Sequence, residues 1–233
     1  MDAVTIVNVF PRLLGTYGDS GNELALAHRL RARGLDAACV RVEPGDAVPT
    51  QGDLYLLGGG EDRAQALAVS LIDSALATAV ASGAVVLGVC AGLQMLGCSF
   101  TDASGATHPG LGVLDVTSTP LPARAVGEVI VQPSIPVGPI VGFENHRGGT
   151  HLGPDALPLG LTVSGVGNGD AARTEGAYQG NVFGTYLHGP VLALNPSLAD
   201  FLLSRIVGEL APLNDALAER SRVRRLAGLH NRP

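Results

Sequence analysis

The residues with the clearest chemical potential surround Cys90. Residues 88–94 read GVCAGLQ. They follow an apolar run that predicts a buried strand, and they lead into a helix-compatible segment. This G-x-C-x-G pattern is the thiol counterpart of the nucleophile elbow, a sharp strand-to-helix turn that needs small neighbours. We therefore predict that Cys90 is a nucleophile, with the N–H of Ala91 as an oxyanion donor. The alternative is a buried structural cysteine.

A cysteine nucleophile needs a base to accept its proton, and histidine is the usual one. The chain has six histidines. His188 ends an apolar strand pattern and His146 follows the sequence FEN, so each could face a site at a strand end. From the residues alone, His188 and His146 both remain candidates for the base.

Three glycines form a second feature of possible catalytic importance. Gly58, Gly59 and Gly60 follow an apolar run that predicts a strand. Glycines in such a place mark a tight turn that lets backbone approach another group closely. We predict that the N–H of Gly59 is a second oxyanion donor, with a plain flexible turn as the alternative.

The elements that position these residues follow from the hydrophobic pattern. Strands predicted over residues 4–9, 37–42, 54–57 and 84–89 alternate with helices, one of them running from 61 to 81. Ser20 and Glu23 have capping-box spacing before the first helix. This order predicts a parallel sheet with helices on both faces, whose ligands gather at the carboxyl ends of the strands.

The second half of the chain has a different pattern. Short alternating segments predict strands over residues 113–119, 125–131 and 140–144, and a hairpin over 177–187. We therefore predict an α/β fold: a doubly wound, mostly parallel sheet with added antiparallel strands. Residues 1–210 form the predicted domain, and residues 211–233 form a helical, Arg-rich tail.

Composition limits the possible functions. The chain has 233 residues and a net charge of −6, which argues against a general nucleic-acid surface. All 15 basic residues are arginine, so no Walker A or Schiff-base lysine exists. Three cysteines without C-x-x-C spacing argue against a disulfide framework or a zinc site, so we expect no metal and no cofactor in this chain. With neither a signal peptide nor a spanning segment in the pattern, we expect a cytoplasmic protein that does not insert into a membrane.

Several segments resemble one enzyme family. Residues 88–94 resemble the nucleophile motif of class I (triad-type) glutamine amidotransferases. Residues 184–189, GTYLHG, resemble the histidine motif of their cobyric-acid-synthase-like branch. Residues 14–22 and 141–146 resemble the glutaminase subunits of MurT/GatD-type lipid II isoglutaminyl synthases. The resemblance extends to about residue 210, and it implies the flavodoxin-like fold of that family.

The resemblance implies a reaction and a partner. By this resemblance, Cys90 attacks the side-chain amide of L-glutamine, and His188 is favoured over His146 as the base. The resemblance also implies that Arg124 holds the substrate carboxylate. Gln94 is a further implied substrate contact. The released ammonia would go to a MurT-like ligase that amidates D-glutamate of lipid II, with ATP and Mg on that partner. A cobyric-acid-type acceptor and a non-catalytic glutamine-binding module are the alternatives.

One position departs from the family pattern. Most class I members have an acid two residues after the histidine, where this chain has Pro190. We therefore expect the third member of the triad to come from the partner, as the resemblance implies, or from Glu144 or Glu175 of this chain.

Overall fold

Strands and helices alternate through the first half of the chain, and strands dominate the second. The computed structural model describes residues 2–72 and 74–230. The strands are β1 (Val4–Val9), β2 (Ala37–Val42), β3 (Leu54–Leu57), β4 (Val85–Val89), β5 (Ser99–Thr101), β6 (Thr107–Pro109), β7 (Val116–Pro133), β8 (Ile140–Leu152), β9 (Gly160–Ser164), β10 (Thr174–Glu175), β11 (Ala177–Gln179) and β12 (Val182–Thr185). The helices are α1 (Gly21–Arg31), α2 (Asp62–Leu71), α3 (Ala75–Ala81), α4 (Ala91–Leu96), α5 (Val191–Leu194), α6 (Pro196–Val207) and α7 (Ala216–His230).

The first sheet is mostly parallel, as predicted. Its strand order is β11-β12-β4-β3-β1-β2, and among the described strands only the β11–β12 pair is antiparallel. β3 and β4 are buried along their whole length, which explains their continuous apolar sequences. The carboxyl ends of β1, β3, β4 and β12 all lie at one edge of this sheet, where ligands gather in such folds.

Helices cover both faces of this sheet because successive side chains of a strand point to opposite faces. In β3, Leu54 and Leu56 pack into a core with α1, α5 and α6. Tyr55 and Leu57 pack into the opposite core, with α2, α3 and α4. The prediction of a doubly wound sheet is thereby confirmed.

The second sheet supplies the antiparallel strands that the sequence predicted. Its order is β10-β9-β7-β5-β6, and β8 pairs with β7. The segments predicted as separate strands at 113–119 and 125–131 belong to one long strand, β7, which begins at Val116, so residues 113–115 lie outside it. The pairing of β7 with β8 is irregular between Pro120 and Ala125, because proline cannot donate to the ladder.

Two local predictions were wrong. α1 begins at Gly21, but Ser20 makes no side-chain cap hydrogen bond. The Glu23 carboxylate instead accepts a hydrogen bond from the buried Asn8 amide (2.8 Å), because a buried polar group needs a partner. The helix predicted over 61–81 is two helices, α2 and α3, which are bent by 71°.

The C-terminal helix α7 contacts the second sheet. Arg225 pairs with Glu128 of β7 (2.7 Å), and the Arg222 guanidinium donates to the Pro139 carbonyl (2.9 Å).

Within residues 2–72 and 74–230, no single helix is long and apolar enough to cross a membrane. The bent pair α2–α3 meets that test only when both helices are counted together.

Candidate active site

Cys90 forms the whole turn between β4 and α4. Its backbone has φ +54° and ψ −106°, in a region that residues with a side chain seldom adopt. Its N–H donates to the Thr185 carbonyl of the neighbouring strand (2.8 Å). Strain of this kind persists where surrounding structure holds it, often at functional sites. The turn presents the Cys90 side chain at the sheet edge where the parallel strands end.

The glycines on either side of Cys90 are required by close packing. A Cβ atom on Gly92 would lie 2.2 Å from the Leu57 carbonyl oxygen. A Cβ atom on Gly88 would lie 2.6 Å from the Gly92 carbonyl carbon. Real Cβ atoms do not approach backbone this closely, so β3, β4 and α4 could not pack as they do with any larger residue at either position.

His188 follows β12 and lies beside Cys90 at the same edge. Its backbone is held by Phe143, whose carbonyl accepts the His188 N–H (2.8 Å). The imidazole Nδ1 lies 3.0 Å from both carboxylate oxygens of Asp19. The His188 and Asp19 side chains are both 1% exposed. The ring is therefore fixed in position by backbone on one side and by a buried carboxylate on the other.

The environment of His188 favours its charged form. Burial alone would lower the pKa of the imidazole, but hydrogen bonding to Asp19 and interaction with Cys90 outweigh it and raise the pKa to about 9. Nε2 makes no hydrogen bond of normal geometry to a described residue, yet the Cys90 thiol is close enough to affect the ring. His188 is thus placed to hold a proton taken from Cys90.

The carboxylate that contacts His188 Nδ1 is that of Asp19, a residue that the sequence analysis missed. Glu144 accepts the backbone N–H groups of Val166 and Gly167 (2.9 and 3.0 Å). Glu175 accepts from the Tyr186 N–H (2.7 Å). Since both carboxylates are used there, neither of the two predicted intrachain acids fills the role.

Within this chain the Asp19 carboxylate already contacts the ring, and the acid expected from a partner stays a prediction. The signal for Asp19 was its place in the loop after β1, which ends at the same sheet edge as Cys90. The contact between the Asp19 carboxylate and His188 Nδ1 depends on a loop path that no local sequence pattern shows.

The prediction for Gly59 also needs correction. Its N–H donates to Asp19 Oδ2 (2.8 Å) and is not free for an oxyanion. The carbonyl of Gly59 accepts from the Thr16 N–H (3.2 Å), so the glycine turn is tied to the loop that carries Asp19. Ala91 fits its predicted place, because the N–H of the first residue of a helix has no intrahelical acceptor.

His146, the other candidate base, is engaged elsewhere. Its Nδ1 lies 2.7 Å from the Gly148 carbonyl, and its Nε2 lies 3.4 Å from the Glu144 carboxylate. Its ring stacks on Tyr186 with centroids 3.8 Å apart. Since both nitrogens face protein partners, His188 is the histidine that the structure places for proton transfer with Cys90.

A cavity of about 230 Å³ opens onto Cys90 and His188. Arg124 and Arg147 lie on its wall, together with Glu61 and Asp62, so groups of both charges face it. Gln94 lines it too, but its amide accepts from Gln65 (2.9 Å) and donates to the Tyr186 hydroxyl (3.3 Å). Over the described residues, no group of three or more His, Cys, Asp or Glu side chains could hold a metal ion.

The fold agrees with the family that the chain matches. Residues 6–196 match the family model of the CobB/CobQ-like glutamine amidotransferase domain. The chain belongs to this family and is a glutamine amidotransferase. A solved glutamine amidotransferase has a TM-score of 0.58 at 20% identity, covering 86% of this chain and 98% of its own. A second solved glutamine amidotransferase, from Thermotoga maritima, has a TM-score of 0.55 at 14% identity. The match covers 98% of this chain and 96% of that protein.

Within the family, two curated relatives cover most of the chain. One is the lipid II isoglutaminyl synthase (glutamine-hydrolyzing) subunit GatD of Staphylococcus aureus, 36% identical over 88% of this chain and 85% of its own. The GatD subunit of Streptococcus pneumoniae is 33% identical over 84% of this chain and 77% of its own length. A cobyric acid synthase of Sphingopyxis alaskensis is 33% identical over 71% of this chain, but the match spans only 34% of that protein.

Proposed function

We propose that this chain is the glutaminase subunit of a two-chain lipid II amidating enzyme. The observation that carries the proposal is the arrangement of half-buried Cys90 beside buried His188 and Asp19 at the mouth of the cavity. The similarity to the two GatD subunits over most of the chain supports the choice of acceptor.

In the first chemical step, Cys90 transfers its proton to His188 Nε2, and its sulfur attacks the side-chain amide carbon of L-glutamine. The carbonyl π electrons move onto oxygen, and the N–H of Ala91 stabilises that negative charge. His188 then gives its proton to the amide nitrogen. The C–N bond breaks, ammonia leaves and a thioester remains.

The second half of the reaction frees the enzyme. His188 accepts a proton from water, and the resulting hydroxide attacks the thioester carbon. The C–S bond breaks, glutamate leaves, and the sulfur recovers its proton from His188. Throughout, Asp19 holds Nδ1–H and stabilises the imidazolium, the role of the carboxylate in nucleophilic triads.

The charges around the cavity suit a zwitterionic amino acid. The guanidinium of Arg124 can bind the α-carboxylate through two parallel hydrogen bonds. Glu61 and Asp62 provide negative charge on the same cavity for the α-ammonium group. Gln94 shapes the wall near the reacting carbon through its hydrogen bonds to Gln65 and Tyr186.

The acceptor reaction belongs to a partner in this proposal. Amidation of D-glutamate in lipid II needs an activated carboxylate, and this chain has no lysine for a Walker A site. A MurT-like ligase that binds ATP and Mg would supply that step in a cytoplasmic heterodimer. A cobyric-acid-type acceptor is the second candidate, which rests on the similarity to cobyric acid synthase.

The test is ammonia release from L-glutamine by the purified chain, alone and with a co-expressed MurT-like ligase. Since Asp19 already orients His188, we expect activity from the chain alone and a higher rate with the ligase. Cys90→Ala should abolish ammonia release, whereas Cys98→Ala, which changes an exposed thiol, should leave ammonia release unchanged. Absence of ammonia in both conditions would refute the glutaminase function. Ligase-bound chain that fails to amidate lipid II would favour the other acceptor.

A further inference from the structure

One loop contacts the His188 imidazole at two places. Asp19 binds its Nδ1, and the ring of Tyr17 lies edge-on to it with centroids 4.8 Å apart. Tyr17 adopts φ +63°, which is unfavourable for a residue with a large side chain. The fold therefore holds the Tyr17 ring over the catalytic histidine at a cost in backbone strain.

The hydroxyl of Tyr17 connects this loop to the opposite wall of the cavity. It accepts a hydrogen bond from the Asn145 amide nitrogen (2.7 Å). The Asn145 amide oxygen in turn accepts from Nε of Arg124 (2.6 Å). Tyr17, Asn145 and Arg124 all line the cavity, so the chain of bonds runs along its rim from the histidine to the arginine.

This geometry determines which part of the guanidinium remains available. Arg124 uses Nε–H on Asn145, and across the described residues its two terminal nitrogens have no hydrogen-bond partner. Those nitrogens form the face that binds a carboxylate end-on with two bonds. A bond at Nε also restricts rotation of a long side chain that would otherwise lose entropy on binding.

We propose that Asn145 is a positioning residue that presents Arg124 to the α-carboxylate of the substrate, and that Tyr17 supports it. The inference rests on the proposed function, because it assumes that L-glutamine occupies the cavity. Asn145 and Tyr17 act through Arg124 and touch no reacting atom. Their effect is confined to substrates that carry the α-carboxylate.

The test compares two ligands that differ only at that group. L-Glutamine and L-glutaminamide, which has an amide in place of the α-carboxylate, are titrated calorimetrically into the Cys90→Ala chain, which cannot turn them over. We expect Asn145→Ala to weaken L-glutamine binding about tenfold, the equivalent of about 1.4 kcal/mol. Binding of L-glutaminamide should stay within about twofold, because the amide leaves the guanidinium face unpaired. Tyr17→Phe, which keeps the ring over His188, should weaken L-glutamine binding by a smaller factor.

Asn181→Ala is the matched control. Asn181 also accepts a hydrogen bond from an arginine Nε, that of Arg205, but it does not line the cavity. The Asn181→Ala substitution should therefore leave the binding of both L-glutamine and L-glutaminamide unchanged. Equal weakening of both ligands by Asn145→Ala, or no weakening of either, would overturn the positioning role alone. A Cys90→Ala parent that binds neither ligand would overturn both this inference and the proposed function.

Discussion

Replacing Asp19 by asparagine removes the carboxylate from His188 with little change in size. Burial works against the imidazolium, but Asp19 and Cys90 together raise the His188 pKa from 6.5 to about 9. The difference corresponds to about 3 kcal/mol in favour of the charged ring, and Asp19 is the first of its favourable causes. In Asp19→Asn only Cys90 still opposes the burial penalty, so the pKa of His188 falls and the ring loses its fixed orientation. We expect ammonia release to fall by about 10²- to 10⁴-fold.

The same substitution has a stability effect with a definite pH dependence. The folded-state pKa of His188 lies above its unfolded value, so the ion pair stabilises the fold fully below pH 6.5. That stabilisation is lost as the pH rises through 9. Urea unfolding should therefore show Asp19→Asn less stable than the parent by up to about 3 kcal/mol near pH 6, with the gap closing near pH 10.

Asp102→Asn is the control for this experiment. Asp102 also binds a histidine, His108 (2.8 Å), but that pair is partly exposed, with 32% of the His108 side chain accessible. Solvent screening makes such pairs weak, so we expect a small stability change with little dependence on pH between 6 and 10. A stability gap for Asp19→Asn that is the same at both pH values would refute the assigned ion pair. A rate of ammonia release by Asp19→Asn within about threefold of the parent rate would also refute it, since triad carboxylates contribute far more than that.

Three further substitutions test other parts of the structure. Glu175→Gln should raise the unfolding free energy near pH 8 by up to about 3 kcal/mol, because burial raises the pKa of this acid to about 7. The gain should vanish below pH 4.5, and a gain that persists there would contradict the assignment. Gly92→Ala should cut ammonia release about 10²-fold by moving Cys90, while Gly138→Ala should not, because a Cβ atom there would make only an ordinary contact with Arg222 Nη1 at 3.9 Å. Arg29→Ala should lower the unfolding free energy in urea by about 1–2 kcal/mol, because Asp215 loses its cation while Asp200, which is also partly exposed, keeps Arg33. A loss under 0.5 kcal/mol, on the order of a surface substitution, would mean that these ion pairs contribute little.

The local parts of the site were readable from sequence. Cys90 stands in a strand–turn–helix segment whose glycines have no alternative, because backbone atoms occupy the space of a side chain. His188 ends a strand pattern, so its place at the sheet edge followed from the parallel topology. The residues alone did not separate it from His146. That choice came from the family resemblance, and the hydrogen bonds of both His146 nitrogens give its physical reason.

Asp19 and Gly59 show where sequence reasoning fails. Asp19 lies 169 residues from His188 along the chain, and only the tertiary path of its loop brings them together. Once Asp19 is there, it also accepts the Gly59 N–H that the glycine pattern had assigned to an oxyanion. Ser20 and Glu23 had the spacing of a capping box, but burial of Asn8 required Glu23 as its partner. In each case a long-range polar contact overrode a local pattern.

The order in which the chain is made has a consequence for when activity can begin. In the proposed mechanism the carboxylate, the nucleophile and the base come from positions 19, 90 and 188. β12, which carries the base, pairs in parallel with β4 nearly a hundred residues earlier. Pairings between such distant segments form slowly, because a long loop must close first. A growing chain therefore has its cysteine exposed long before it has a base, and glutamine hydrolysis starts only after β12 joins the sheet. The onset of ammonia release would thus report the completion of folding.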